Sequence, residues 1–186
     1  MKRKCICLVI PSLQAGGMER VMAELADYFA SKDELDIHLL LYDLTREMFY
    51  RVPESIKIHK PQFKFNNKVR LFNTVRTALF LRRVVKEIRP DSIMSFGEYW
   101  NSFVLISLTG LSFPVYISDR CSPEKEYSYF HRFLRSFFYP KASGIIAQTQ
   151  KAKDVYSRQF KHHNIEVIGN PIREIAADGR TKRENI

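Results

Sequence analysis

The sequence has little cysteine, too few acids to balance its bases, and no long uninterrupted apolar run. Its three cysteines among 186 residues form no CxxC and no cysteine–histidine spacing that suits zinc, so no metal site is expected. Cys5 and Cys7 lie two apart in an apolar run, which on a strand puts both on one face, in the core. With Cys121 alone elsewhere, the set reads as reduced and structural, and a cytoplasmic location is the simplest expectation. MKRK before CICLVI imitates an export signal, but the apolar segment is short, Pro11 cuts it, and no A-x-A-like cleavage site follows. The stretch FVLISLTGLSFPVYI (103–117) is divided by Gly110 and Pro114, so no membrane span is expected. Internal repeats, low-complexity tracts and a G-x-G-x-x-G fingerprint are also absent. Asp43 does stand near the end of the second apolar run, where a ribose-binding acid would be.

The shortage of acid is informative. Thirty Lys and Arg face twenty Asp and Glu, a formal charge of +10 that favours anionic partners: phosphorylated small molecules, an acidic membrane surface or nucleic acid. The excess is concentrated. Residues 57–90 hold ten bases against one acid, Glu87, and residues 127–139 hold seven aromatics with Arg132 and Arg135. Bases beside aromatics suit an anionic bilayer, where each base contributes on the order of 1 kcal/mol. They suit nucleic acid as well. The plain alternative is a solvated basic face over core aromatics. Lys68, Arg70, Arg76, Arg83, Arg132 and Arg135 are the candidates for membrane contact. The five histidines read as incidental, with His162 and His163 in an exposed loop.

Apolar residues make up 45% of the chain, ordinary for a globular protein, and the length suits one domain. Apolar β-type runs fall at 4–10, 36–42, 55–60, 91–96, 114–119, 143–148 and 165–169. Most are continuous, as for strands covered on both faces. Helical stripes lie between: Met18, Val21, Met22, Leu25 and Phe29; then Leu71, Val75, Ala78, Val85 and Ile88; then Tyr127, Phe130, Phe133, Leu134 and Phe137. The alternation predicts an α/β, Rossmann-like, doubly wound and mostly parallel sheet with helices on both faces, over residues 1–172. Residues 173–186 are polar and read as a linker.

In such a sheet ligands bind outside the carboxyl ends of the strands. Gly16 and Gly17 follow the first strand there and open a helix. The bare backbone, unpaired N–H groups and positive dipole end would suit a phosphate, although a turn that merely favours glycine fits too. Glu19 sits in the first helical turn, where an acid suits the dipole. Further polar loops occupy the same edge: GEYWN (97–101), RCSP (120–123), TQKAKD (149–154) and NPI (170–172). Glu98 and Asn101 are candidates for a ligand's hydroxyls, Asn101 equally for a helix cap. Arg120 is a candidate for a phosphate, or else for a surface ion pair.

These loops together resemble the N-terminal half of a GT-B glycosyltransferase of the GT4 family. The resemblance rests on Gly16, Gly17, Met18, Glu19 and Arg20; on Ser118 to Pro123; on Gln148 and Thr149; and on Asn170, Pro171 and Ile172. It implies a retaining transferase of cell-surface polysaccharide synthesis, moving sugar from a nucleotide-sugar substrate to a glycan or lipid-linked acceptor. No cofactor would be required. Gly16, Gly17 and Glu19 would then border the donor phosphates, and Glu98, Asn101, Arg120, Gln148, Thr149 and Asn170 the acceptor. In the family a second domain holds the donor through a basic pair and two spaced glutamates. Those are not found here, so the chain is expected to be an N-terminal half, without a complete catalytic set and inactive alone. Its own C-terminal domain is an implied partner, and the inner face of the plasma membrane an implied location. Nucleic acid is not an expected partner of such an enzyme; a non-catalytic nucleotide- or nucleic-acid-binding module is the alternative. Many members carry a histidine where this chain has Asp119 and Arg120.

Overall fold

The apolar runs pair as one sheet. In the computed structural model, which describes residues 3–43 and 47–171, the order of elements is β1 (Lys4–Ile10), α1 (Gly17–Ala30), β2 (Leu35–Leu41), β3 (Lys57–His59), α2 (Arg70–Ile88), β4 (Ser92–Phe96), α3 (Asn101–Leu108), β5 (Val115–Ser118), α4 (Tyr129–Phe138), β6 (Gly144–Ala147), α5 (Gln150–Phe160) and β7 (Ile165–Val167). The strands lie in the order β3-β2-β1-β4-β5-β6-β7, and every pairing is parallel. β1 is an interior strand, matching Ile6 to Ile37 of β2 on one edge and to Ser92 of β4 on the other. The switch in direction beside β1 is where an open α/β sheet forms its crevice. The expected fold class is therefore observed.

Alternation along the strands divides the apolar residues between two cores. Leu8 and Ile10 pack with Val21, Met22 and Ala26 of α1. Cys7 and Val9 join Leu81 and Val84 of α2, Val104 of α3, and Tyr156 and Phe160 of α5 on the opposite face. Both α2 and α5 stop at a residue in the left-handed region, Arg89 and Lys161, and Pro90 follows the first of these.

Two of the predicted stripes turn outward in part: in α2, Val85 is buried and Ile88 packs on the core as expected, but the first half of the stripe faces solvent. In α2 the buried side is Asn73, Thr77, Leu81, Val84 and Val85, while Leu71, Val75 and Leu79 are exposed. Residues two apart lie about 200° apart around a helix, so Leu71 and Asn73 face nearly opposite sides. Asn73 is tolerated inside because its amide donates to Asn66 O at 2.9 Å, and Thr77 because its hydroxyl donates to Asn73 O at 2.8 Å. In α4, Phe130, Phe133 and Phe137 are exposed, and the buried residue is Arg135. The loop expected at 149–154 is mostly helix, since α5 starts at Gln150. His162 is not in an exposed loop: it is buried, donating through Nε2 to Ala142 O (2.9 Å) and accepting from Asn164 N at Nδ1. Residues 172–186, including the predicted linker, lie outside the described residues.

The histidines of β2 and β3 are not incidental either. His38 Nδ1 and His59 Nε2 are 2.9 Å apart and their rings stack at 5.1 Å. Burial pushes both imidazoles below their ordinary pKa; the positive His38 lowers His59 further, and Lys57 lowers both, against Asp36 and Glu87. Lowered histidine pKa values mean that the unfolded chain takes up more protons in acid, so this contribution is present above about pH 6.5 and is lost as pH falls below it. We expect His59→Gln to flatten the loss of stability between neutral and mildly acidic pH in urea unfolding. An unchanged slope would show that the pair titrates as it does in the unfolded chain.

Candidate functional site

The loops after β1, β4, β5, β6 and β7 converge on the carboxyl edge of the sheet, and each of the sequence candidates there has a definite position. Gly16 is the N-cap of α1, in extended conformation (φ −177°), and Gly17 is the first helical residue. The two glycines differ in what they do. A Cβ at Gly16 would run into the carboxylate of Glu19, whereas a Cβ at Gly17 would meet nothing within 4 Å. Glu19 is the third residue of the helix, buried, with its carboxylate folded back over Gly16 and Gln14 Nε2 3.5 Å from Oε1. Gly16 thus makes room for an acid at the positive end of α1, the favourable place for one. Gly17 keeps the neighbouring backbone open to solvent.

A third glycine, not singled out in the sequence, fixes the approach of α1 to the next loop. Gly97 has φ +110°, a region that side chains rarely adopt, and a Cβ there would lie 2.9 Å from Trp100 Cδ1 and 3.0 Å from Met18 Sδ. Its N–H donates to Ser118 O at 3.0 Å, joining the loops after β4 and β5. The clue in the sequence was the glycine directly after an apolar run, beside a bulky Tyr99-Trp100 pair.

Beneath the rim lies a buried polar network centred on Asp119, which is 2% exposed. Arg135 Nη2 donates to Asp119 Oδ2 at 2.7 Å, and Tyr139 OH and Asn101 Nδ2 donate to Oδ1 at 2.7 and 3.0 Å. Arg135 Nη1 donates to Tyr139 OH at 2.7 Å. Its guanidinium also stacks on the rings of Tyr127 and Tyr139 at 4.3 and 4.4 Å. Burial alone would lower the Arg135 pKa, but the charge and hydrogen bond of Asp119 together with Tyr139 and Tyr127 outweigh it and hold the proton on. Two candidates are corrected by this geometry. Arg135 is no membrane-facing base, because its charge is spent on Asp119. Asn101 neither reaches a sugar nor caps α3, whose N-cap is Trp100; it is fully buried, accepting from Ser95 Oγ and donating to Ser118 O and Asp119.

Of the remaining candidates, Arg120, Gln148 and Thr149 line a cleft of about 370 Å3 together with Asp119, Ser122 and Tyr156. Gln148 Nε2 donates to Asp119 O at 2.9 Å, and Thr149 caps α5 by accepting from Ala152 N at 3.1 Å. Arg120 lies over the Phe96 ring at 3.9 Å and donates to Asn170 Oδ1 at 2.6 Å, which draws the last motif of the chain onto this loop. Its Nε is buried without a hydrogen-bond partner, and burial pushes its pKa down to about 10 against the pull of Asp119. An orphan donor on a cation at a cleft is suited to an anionic oxygen. Glu98 is half-buried and accepts from Lys125 Nζ at 2.8 Å; burial raises its pKa, and the Lys125 contact, its own backbone N–H and Cys121 together more than reverse this.

One group with metal-ligand chemistry occurs among the described residues: Cys5, Asp36 and His38, whose ligand atoms lie within 4.8 Å of one another. It belongs to β1 and β2 near their amino ends, away from the rim, and Lys57 Nζ already occupies Asp36 Oδ2 at 2.8 Å.

The family pattern of Glycosyltransferase Family 4 matches residues 15–174. Among curated proteins, the chain is 26% identical over 186 residues to the GalNAc-alpha-(1->4)-GalNAc-alpha-(1->3)-diNAcBac-PP-undecaprenol alpha-1,4-N-acetyl-D-galactosaminyltransferase of Campylobacter jejuni, covering 97% of this chain and 50% of that protein. It is 28% identical over 171 residues to the amylovoran biosynthesis glycosyltransferase AmsD of Erwinia amylovora, covering 90% and 45%. Among solved structures, sucrose-phosphate synthase from Thermosynechococcus elongatus superposes with a TM-score of 0.69 at 10% identity, covering 90% of this chain and 48% of that one, a likeness of fold. The chain thus spans about half the length of the curated relatives it matches.

Proposed function

Because the chain belongs to glycosyltransferase family 4, we propose that it is the N-terminal, acceptor-side half of a transferase that moves sugar from a nucleotide-sugar donor to a lipid-linked glycan in cell-surface polysaccharide synthesis. The names of the two curated relatives, one acting on an undecaprenol diphosphate-linked glycan and one in polysaccharide biosynthesis, support that class of acceptor. Transfer with retention, and work at the inner face of an anionic membrane, are parts of the same proposal. So is a C-terminal domain that would close on the rim and bring the donor.

The observation that carries the assignment of the site is Arg120. Its orphan Nε and lowered pKa leave a cation whose bonding is incomplete at the mouth of the cleft. A phosphate oxygen of the acceptor would complete it. Gly17 keeps the α1 backbone open for the donor diphosphate, while Glu19 keeps an anion from seating directly on Gly16. Asp119, Asn101, Gln148 and Arg135 touch neither substrate in this scheme; they hold the Arg120 loop in place. No cofactor is invoked.

In the complete enzyme, Arg120→Gln is expected to raise the KM for a diphosphate-linked acceptor about tenfold while changing kcat less. An unaltered acceptor KM would remove Arg120 from the site. The 186-residue chain alone is expected to release no product from any sugar nucleotide, since the donor half would be missing; turnover by the chain alone would refute the division of labour.

A further inference from the structure

The two helices whose stripes face outward share one pattern. In α2 the exposed apolar residues are Leu71, Phe72, Val75 and Leu79, and Leu71 is 80% exposed. In α4 they are Tyr129, Phe130, Phe133 and Phe137, and Phe130 is 66% exposed. Both sets follow the spacing i, i+1, i+4, i+8, which keeps four large side chains on one side of a helix. α3 packs against both helices, so the two ridges belong to one helical layer. Exposed apolar area of this kind, built on two elements, marks a surface made to be covered.

Its surroundings identify the cover. Lys68, Arg70, Arg76 and Arg83 lie along α2 and its leading turn, and Arg132 and Lys141 lie along and just past α4. Arg132 sits over Tyr129 at 5.5 Å and Lys141 over Phe137 at 3.6 Å. A depression of about 380 Å3 beside Leu79 is walled by Arg82, Arg83 and Lys86. Glu87, the acid there, is paired with Arg83 at 2.9 Å. Aromatic ridges fringed by cations match the boundary between acyl chains and anionic headgroups. The phosphates of a nucleic acid would engage the bases and leave the ridges wet. Among the described residues no helix is long and apolar enough to cross a membrane.

We infer that the outer faces of α2 and α4 form a docking surface for an anionic lipid bilayer, with the aromatic ridges inserted among the lipids and the flanking bases on the headgroups. In a parallel sheet each crossover helix starts at the carboxyl edge, so the first turns of α2 and α4, with Leu71, Phe72, Tyr129 and Phe130, begin at the level of the rim. Docking by these faces would set the Arg120 cleft beside the headgroup layer. The purpose of this placement rests on the proposed lipid-linked acceptor; the surface itself does not.

The test is sedimentation of the full chain with vesicles of phosphatidylglycerol and phosphatidylcholine in equal parts, against phosphatidylcholine alone. Association with the mixed vesicles only, reversed by high salt, is expected. Joint substitution of Lys68, Arg70, Arg76 and Arg83 by glutamate, or of Phe130, Phe133 and Phe137 by serine, is expected to weaken partition about tenfold in each case. A Phe133→Trp variant should be quenched by brominated lipid, a reading that does not depend on the stability of the serine variant. Failure to associate at low salt, or binding without quenching and indifferent to the serine changes, overturns the inference. So would loss of a dimer in the serine variant without vesicle binding, which would make the ridges a contact between copies. Transfer to a lipid-linked acceptor in detergent, measured on the complete enzyme, tests the functional proposal separately.

Discussion

Arg135→Leu is expected to lower the free energy of unfolding by about 3–5 kcal/mol, a large share of what holds a domain of this size together. The cause is the carboxylate left behind. Asp119 is buried, and among the described residues Arg135 is the cation within bonding distance, at 2.7 Å. Tyr139 and Asn101 would still donate to Oδ1, but neither carries charge. The comparison that isolates the pair is Asp119→Asn with Arg135→Leu. Removing both charges should recover part of the loss, because the cost lies in an uncompensated ion rather than in the missing contact. Urea unfolding of the three variants gives the cycle. A single-variant loss below about 1 kcal/mol, as for an exposed pair, would show that water reaches Asp119.

Gly17→Val, in the complete enzyme, is expected to reduce turnover about a hundredfold with the fold intact. The added Cβ has no neighbour within 4 Å, so nothing in the chain resists it. The loss would come from the branched side chain standing where a donor phosphate approaches the helix start. Gly16→Val is the contrasting substitution. It drives the side chain into the carboxylate of Glu19, so its melting temperature should fall along with its activity. Full activity of Gly17→Val with normal thermal stability would reduce the glycine pair to a turn that serves Glu19 alone.

What the sequence made legible was local. Most of the strands were readable because continuous apolar runs bounded by polar loops are a signature of a strand covered on both faces, and their alternation with helices implied parallel pairing; β3 and β7, mostly exposed at the two edges, were readable from short apolar runs between turn signals. Gly16 and Gly17 were readable for the same reason, being adjacent to the strand that places them. What was missed depends on contacts between distant segments. The stripes of α2 and α4 were found, but a stripe does not say whether it faces the sheet. In α2 that was decided by Asn73 and Thr77, polar residues with backbone partners inside. In α4 it was decided by Arg135, which is drawn inward by an aspartate on another loop. Asn101 was mistaken for a surface residue because its three partners come from β4, β5 and the loop beyond. The Arg120–Asn170 contact joins residues 50 apart and leaves no trace in either neighbourhood.

The position of β1 in the interior of an all-parallel sheet has a consequence for how the chain emerges during synthesis. Its first edge can be closed by β2, which follows within a few dozen residues. Its second edge is closed only by Ser92–Ser95 of β4. Until that segment leaves the ribosome, the nascent protein presents an unpaired and strongly apolar strand, an adhesive edge of the kind that holds other chains. None of the sheet's pairings is a hairpin, so no short-range pairing can protect it sooner. The interval between translating residue 10 and residue 95 is therefore when this protein most depends on chaperones, and slowing translation within it should increase aggregation more than slowing it afterwards.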